Sequence, residues 1–328
     1  MSLLQVQSIF QSSQEHARAP HNEEYANGVA YANGKIVPLE QASIPITDCG
    51  LIHSDATYDV VTASKGYIFR LDDHLSRFEA SCRKFEFNLD ISMEQIGELL
   101  HEMVAKSGFK DCYIWWCVTR GAFPSDMNKI NPDAYKPNLY AFVIPYRFIA
   151  DDEMRLKGFS LCVARNHIRI SEKAVDPTAK NFHWMDMKLS MFEAYRGGFD
   201  WAILTDENGN LTECPGCNIF FIKNNTLYTP QNGCLEGITR KTALELGEEL
   251  GLEINVGVFQ ASELLGVEEI FLTSSAGGIF PVASVTIDNE TVSLPVRSQT
   301  ERIHNLYWEK RWQGWHGKKV IYQSDFRY

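Results

Sequence analysis

Hydrophobic and polar positions alternate with a period of two in several short stretches, and the longer stretches between them repeat at helical spacing. Residues 28–31 and 35–38 flank Asn33-Gly34, a dipeptide that favours a tight hairpin. Residues 58–63 and 67–70 form a second such pair about Ser64-Lys65-Gly66, and strand alternation places Tyr58, Val60 and Thr62 on one face. In 72–87, Leu75, Phe78, Cys82 and Phe85 recur at helical spacing, with Asp72 or Asp73 near the N-cap, and 93–106 reads as a second helix. Residues 112–119 and 138–145 read as strands, with Tyr113, Trp115 and Cys117 sharing a face of the first. The long loop between them, 121–137, is of a length often reserved for function. The residues before about Glu24 are polar and irregular and read as a loosely ordered arm.

A charged stretch at 147–155 breaks this pattern. It is the expected linker between an N-terminal α/β domain, 1–146, and a C-terminal α/β domain, 156–328. The second half gives a strand at 160–164, a helix after Lys180 that stops at Gly197-Gly198, and a strand at 201–204 that continues after a turn as 211–213. A hairpin of 218–223 and 227–229 about Asn224-Asn225 follows, then a helix opening at Gly237 and running to Leu250. A strand at 269–272 leads into the small, hydroxyl-rich run 273–278, and a last helix covers 300–312. The fold class expected is α/β (α+β), in two domains.

The candidate chemistry centres on Lys180. Asp176-Pro177 fixes a turn before it, and Met187, Leu189, Met191, Phe192 and Tyr195 make the helix after it apolar. Most lysines are solvated point charges, but a buried one shifts its pKa readily and can form Schiff bases. Gly237-Ile238-Thr239 offers backbone N–H groups and a hydroxyl at a helix N-terminus, which suits an anion. The run 273–278 can also approach a phosphate closely through its backbone. Together with Glu213 at a strand end, a lysine and two phosphate cradles are what pyridoxal 5′-phosphate chemistry requires. Arg77 lies off the apolar stripe of its helix, and by itself reads as a surface arginine.

Composition narrows the partners. With 328 residues, 45% hydrophobic and 22% charged, the chain has the balance of an ordinary globular protein. A formal net charge of −11 argues against a nucleic-acid surface, which draws its affinity from Lys and Arg on phosphates. No stretch is long and apolar enough to span a bilayer, and no signal peptide is expected. The eight cysteines are mostly scattered on apolar segments, as in a reducing compartment, so a cytoplasmic location is expected. Cys214-Pro215-Gly216-Cys217 runs into a strand instead of opening a helix, and no second CxxC completes a zinc site, so no metal is expected.

In order and spacing, Arg70–Ser81 (RLDDHLSRFEAS), Asp176–Trp184, Leu211–Asn218 (LTECPGCN), Gly237–Lys241 (GITRK) and Ser274–Gly278 (SSAGG) resemble the pyridoxal-phosphate-dependent transaminases of fold type IV, the class IV aminotransferases. The resemblance is nearest to the (R)-selective amine:pyruvate transaminases. It implies a two-domain fold, a homodimer, and transfer of an amino group from an (R)-configured primary amine to a keto acid such as pyruvate. D-amino-acid or branched-chain-amino-acid aminotransferases, and a lyase like aminodeoxychorismate lyase, are the alternatives it leaves. By the same resemblance Lys180 is the Schiff-base lysine, Glu213 the partner of the pyridine nitrogen, and Arg77, Ile238, Thr239 and Ser275 the phosphate site. The substrate pocket it implies is lined by His53, Tyr58, Val60, Thr62, Tyr113, Trp115, Trp184 and Ala276. The chain departs from the pattern at Cys214-Pro215 and Cys217, which stand where relatives carry small residues and an aromatic. It also lacks an arginine in the loop 121–137, and Arg120 and Lys129 are the nearest cations in sequence.

Overall fold

The computed structural model describes residues 2–124 and 131–322. The first helix, α1 (Val6–Ser12), replaces the loosely ordered arm expected from the polar sequence. Its first turn is capped from far away: Gln7 N and Ser8 N donate to the two Asp152 oxygens, over 3.1 and 2.8 Å. A cap borrowed from another segment satisfies orphan N–H groups without leaving a local signal.

The chain forms two compact units, one of Phe10–Arg147, Ala179–Phe182 and the residues from Arg311 on, the other of Met1–Ile9, Phe148–Thr178 and His183–Lys310. In the first unit the hairpin β1 (Val29–Ala32) and β2 (Lys35–Pro38) turns at Asn33 and Gly34, with φ of 54° and 75°. Both central residues are left-handed, which is why Asn-Gly serves there. After the short α2 (Cys49–His53), β3 (Ala56–Ser64) and β4 (Tyr67–Phe69) turn in the same way at Lys65 and Gly66, with φ of 52° and 77°.

Helix α3 (Leu71–Lys84) starts one residue before the expected span 72–87 and ends three residues short of it. Its N-cap is Arg70, in a left-handed conformation, and Arg70 NH1 donates to Asp73 Oδ2 over 2.9 Å. Helix α4 (Met93–Ser107) follows, closed by a capping box between Ser92 and Gln95. Strands β5 (Cys112–Thr119) and β6 (Asn138–Pro145) have the bounds read from alternation. Among the described residues these strands and Gly317–Lys319 make a seven-stranded antiparallel sheet in the order 317–319, β4, β3, β5, β6, β1, β2. One face carries Val61, Ile114, Trp116 and Val143 and packs with Phe78, Ile96, Leu100 and Met103 of α3 and α4 into the core. Residues paired across antiparallel strands project to the same side, so the register leaves the other residues of β3, β5 and β6 on the opposite face.

In the second unit, the stretch expected as a linker enters a helix, α5 (Asp152–Lys157), with Asp151 as its N-cap. Strand β7 (Phe159–Val163), helix α6 (Met185–Arg196) and strand β8 (Trp201–Ile203) precede the hairpin β9 (Asn218–Lys223) and β10 (Thr226–Pro230), which turns at Asn224 and Asn225 with φ of 49° and 60°. Residues 211–213 do not extend β8: Thr205 and Leu211 form only an isolated bridge. Helix α7 (Ile238–Glu249), β11 (Glu253–Gly257), β12 (Glu269–Ser274), β13 (Gly278–Ile287), β14 (Glu290–Ser293) and α8 (Ser298–Trp312) complete it. Among the described residues an eight-stranded mixed sheet runs β11, β10, β9, β12, β13, β7, β8, with β14 on β13. Strands β11, β13 and β14 were not foreseen. The run 273–278 is accordingly a tight turn between β12 and β13, with Ser274 paired to Gly278.

Candidate active site

In the first unit the Lys180 peptide is held by two elements. Tyr58 N donates to the Lys180 carbonyl over 3.1 Å and Thr57 Oγ1 donates to it over 2.6 Å, while the Lys180 amide donates to Ser81 Oγ over 3.2 Å. Asp176 Oδ1 accepts from Thr178 N and Oγ1 over 2.9 and 2.6 Å, the local turn that Asp-Pro announces. The half-buried Lys180 places Nζ 4.4 Å from the centre of the Tyr58 ring.

Arg77 of α3 is not a surface arginine. Its Nε and NH2 donate to Asp59 Oδ2 and Oδ1 over 2.9 and 2.7 Å, a bidentate pair on a carboxylate with no exposed side-chain surface. His74 Nδ1 lies 2.8 Å from Asp59 Oδ1. Burial raises the Asp59 carboxyl, but Arg77 and His74 outweigh it and hold it well below the carboxylate range. Burial pushes the His74 ring down, against the pull of the Asp59 carboxylate. Neither Asp59 nor His74 was singled out from the sequence, although both lie in the strand and helix that carry Tyr58 and Arg77.

The apolar face of β3 and β5 is one surface, not two. Val60 pairs with Trp115 and Thr62 with Tyr113, so these four side chains point the same way as Tyr58. Phe142 of β6 stacks on Trp115 at 5.1 Å between ring centres, and Phe182, two residues after the lysine, lies 5.5 Å from Tyr58 and 6.1 Å from Trp115. Burial raises the Tyr113 hydroxyl far above its usual range, with the exposed Arg147 opposing. His53 closes α2, its ring 5.6 Å from Phe123. Arg120 is engaged elsewhere: its NH2 donates to Asp55 Oδ1 and the Phe85 carbonyl over 3.1 and 2.6 Å, and it stacks 4.0 Å from Phe87. Lys129 lies outside the described residues.

In the second unit Glu213 is 3% exposed. Arg169 Nε donates to its Oε1 over 2.9 Å and Leu235 N to its Oε2 over 3.1 Å. Arg169 is held in turn by Asp186, whose Oδ2 accepts from its NH1 over 2.6 Å. Helix α7 begins at Gly237, which supplies no side-chain cap. A Cβ on Gly237 would come within 2.1 Å of Asn218 Oδ1, so the close approach requires glycine. Asn218 pairs with Thr273, next to Ser274 where β12 ends, and this brings the α7 N-terminus and the β12–β13 turn to the same end of the sheet. Ile238 and Thr239 are buried there, and Thr273 Oγ1 is buried without a hydrogen-bond partner. Ser275 and Ala276 form the turn, with the Ala276 carbonyl accepting from Ile149 N over 3.0 Å. Trp184, just before α6, leans towards Gly216, where a Cβ would meet its ring at 3.2 Å. Cys214 and Cys217 exchange two backbone bonds of 2.9 Å, and burial lifts the Cys214 thiol well above its usual range. A thiol held neutral in this way is a poor redox nucleophile. Among the described residues no cluster of His, Cys, Asp or Glu could hold a metal.

Residues 56–285 match the family described as Amino-transferase class IV. The chain belongs to the class IV aminotransferases. It is an enzyme of that family, and its two-sheet α/β architecture is the class IV aminotransferase fold. It is 26% identical over 281 residues to a putative branched-chain-amino-acid aminotransferase of Methanocaldococcus jannaschii, covering 84% of this chain and 95% of that protein. A probable branched-chain-amino-acid aminotransferase of Rickettsia bellii is 29% identical, covering 80% of this chain and 89% of its own length. Among solved structures, the branched-chain amino acid aminotransferase of Thermobaculum terrenum in its PLP form superposes with a TM-score of 0.78 at 24% identity, covering 90% of this chain and 99% of that one.

For a class IV aminotransferase the residues that the sequence left out are as informative as those it offered. Arg169 and Leu235 satisfy both oxygens of Glu213, and nothing local marks either, because each reaches the carboxylate from another segment. Phe142 and Phe182 join the aromatic wall only once the β5–β6 register and the fold of the lysine segment are set.

Proposed function

We propose that this class IV aminotransferase, whose cofactor is pyridoxal 5′-phosphate, moves an amino group from an (R)-configured primary amine to a keto acid such as pyruvate. The donor set suits the cofactor. In the second unit a glycine-started helix and two hydroxyl residues fit a phosphate, and a buried carboxylate braced by a guanidinium fits a protonated ring nitrogen. When bound, the cofactor serves as an electron sink for the carbon that bears the amino group. Lys180 is the residue that holds it covalently, and its Nζ takes the proton from that carbon. Glu213 keeps the pyridine nitrogen protonated, and Arg77, Ile238, Thr239 and Ser275 hold the phosphate.

The observation that carries the substrate reading is the uncharged wall of Tyr58, Val60, Thr62, Tyr113 and Trp115, extended by Phe142 and Phe182. Such a surface accepts a methyl or aryl group on desolvation grounds, whereas an α-carboxylate asks for a fixed cation. His53, Trp184 and Ala276 belong to the proposed substrate pocket as well. A branched-chain aminotransferase is the second reading, favoured by the relatives' names. A homodimer is part of the proposal, supported by the exposed stripe Met185, Leu189, Phe192 and Tyr195 on α6. So is a cytoplasmic location, supported by eight free, buried cysteines.

The deciding experiment measures initial rates with (R)- and (S)-1-phenylethylamine, D-alanine and L-leucine as donors. Preference for the (R)-amine is expected. Faster turnover of L-leucine would establish the second reading, and equal rates for the two amines would remove the first.

A further inference from the structure

Ser81 bonds to two residues at once. Its Oγ donates to the Arg77 carbonyl over 2.9 Å and accepts the Lys180 amide hydrogen over 3.2 Å. A serine that returns a bond to the carbonyl four residues earlier gains the helix nothing and slightly weakens it. Its second bond, to the lysine segment, is therefore the one with an evident use. The carbonyl of the same residue takes Thr57 Oγ1 over 2.6 Å and Tyr58 N over 3.1 Å. Both polar groups of the Lys180 main chain are thus fixed, the N–H by α3 and the C=O by the start of β3, and Thr57 and Ser81 are both buried. A lysine stem is long and flexible, so where its amine can reach depends on where its Cα is held.

We propose that Ser81 and Thr57 are positioning residues that lock the Lys180 main chain in register with Arg77, so that amine and guanidinium address one cofactor at a fixed spacing. This rests on the reading of Lys180 as the cofactor-holding lysine and Arg77 as a phosphate contact. Small misplacements of a reacting group are costly: about 1 Å can cost roughly a hundredfold in rate.

The test uses full-length apoprotein of the wild type, Ser81→Ala, Thr57→Val, Thr57→Ser and Lys180→Ala. Pyridoxamine phosphate, which cannot bond covalently to lysine, is titrated by tryptophan fluorescence. Pyridoxal phosphate is titrated separately, fixed with borohydride and located by peptide mass. For Ser81→Ala and Thr57→Val the affinity for pyridoxamine phosphate should stay within about threefold of wild type, while fixation at Lys180 under limiting cofactor and kcat both fall roughly tenfold, the scale of one lost hydrogen bond. Thr57→Ser should restore both. Wild-type fixation in the two variants, or an equal loss of both ligands, would overturn the proposal, the second because it marks a merely structural role. If Ser81→Ala does not fold, the Thr57→Val and Thr57→Ser pair decides alone. Fixation that persists in Lys180→Ala would instead remove the underlying reading of the lysine, and is seen independently of the other variants.

Discussion

Arg169 grips Glu213 through a 2.9 Å bond from Nε while its NH1 is tied to Asp186 over 2.6 Å, so the carboxylate in the second unit is braced by a cation that is itself anchored. Arg169 is 5% exposed and Glu213 3%, and at that depth neither charge is stable without the other.

Replacing Glu213 by Gln should therefore leave cofactor bound but lower kcat by about a hundredfold or more, since a neutral amide cannot hold a ring nitrogen in its charged form. Replacing Arg169 by Lys keeps a charge and should keep most of the rate, whereas Arg169→Met should move the acid limb of the rate–pH profile to higher pH. Loss of the guanidinium favours the protonated carboxyl, and that fixes the direction. Rate–pH profiles of the three variants provide the check. An unmoved acid limb in Arg169→Met would detach Arg169 from the chemistry.

Lys180→Ala should reduce transamination by about a thousandfold or more while the far-UV spectrum stays that of wild type, because in the role proposed for it the amine is both nucleophile and proton carrier. Single-turnover assays with added amine measure it. Substantial steady turnover by this variant would sink the assignment.

Arg120 and Arg147 should separate cleanly. Arg120 is spent on Asp55 and on the Phe85 and Glu86 carbonyls, so Arg120→Met should cost about 1–3 kcal/mol of stability in urea unfolding and leave the relative KM values of donors and acceptors unchanged. Arg147 is exposed and acts on the Tyr113 hydroxyl at the edge of the aromatic wall. Arg147→Gln should raise the KM for pyruvate several-fold with little change in that for the amine. An equal rise in both would show that Arg147 does not distinguish the acceptor from the amine.

His304 supplies a pH effect on stability away from the chemistry. Its ring nitrogens lie 3.2 and 3.1 Å from the Ile279 and Leu4 carbonyls, which favour the charged form. Burial and the Arg155 guanidinium outweigh them and push the ring down to about 4 from an ordinary value of 6.5. The unfolded chain then binds the proton first, so stability falls as pH drops from about 6.5 towards 4, by about 3 kcal/mol in all. Urea unfolding at pH 7 and pH 5 should show a smaller difference for His304→Gln than for wild type. An equal difference would assign the slope to other groups.

Much of the local structure was legible in the sequence. Asn33-Gly34, Lys65-Gly66 and Asn224-Asn225 each turn a hairpin with both residues left-handed, a turn that glycine and asparagine adopt at little cost and that Lys65 adopts beside Gly66. The bounds of β5 and β6 followed from alternation, and Asp176-Pro177 announced the turn before Lys180. These features depend on torsions and side chains within a few residues of one another. The single aromatic face needed the pairing of Val60 with Trp115, more than fifty residues on, and the cap of α1 needed Asp152. Arg70 in place of Asp72 or Asp73 at the start of α3, strand β13, and the grip of Arg169 on Glu213 were equally hidden. Each depends on which segments the assembled core brings together, and hydrophobic periodicity says which side of an element is buried but not what it is buried against.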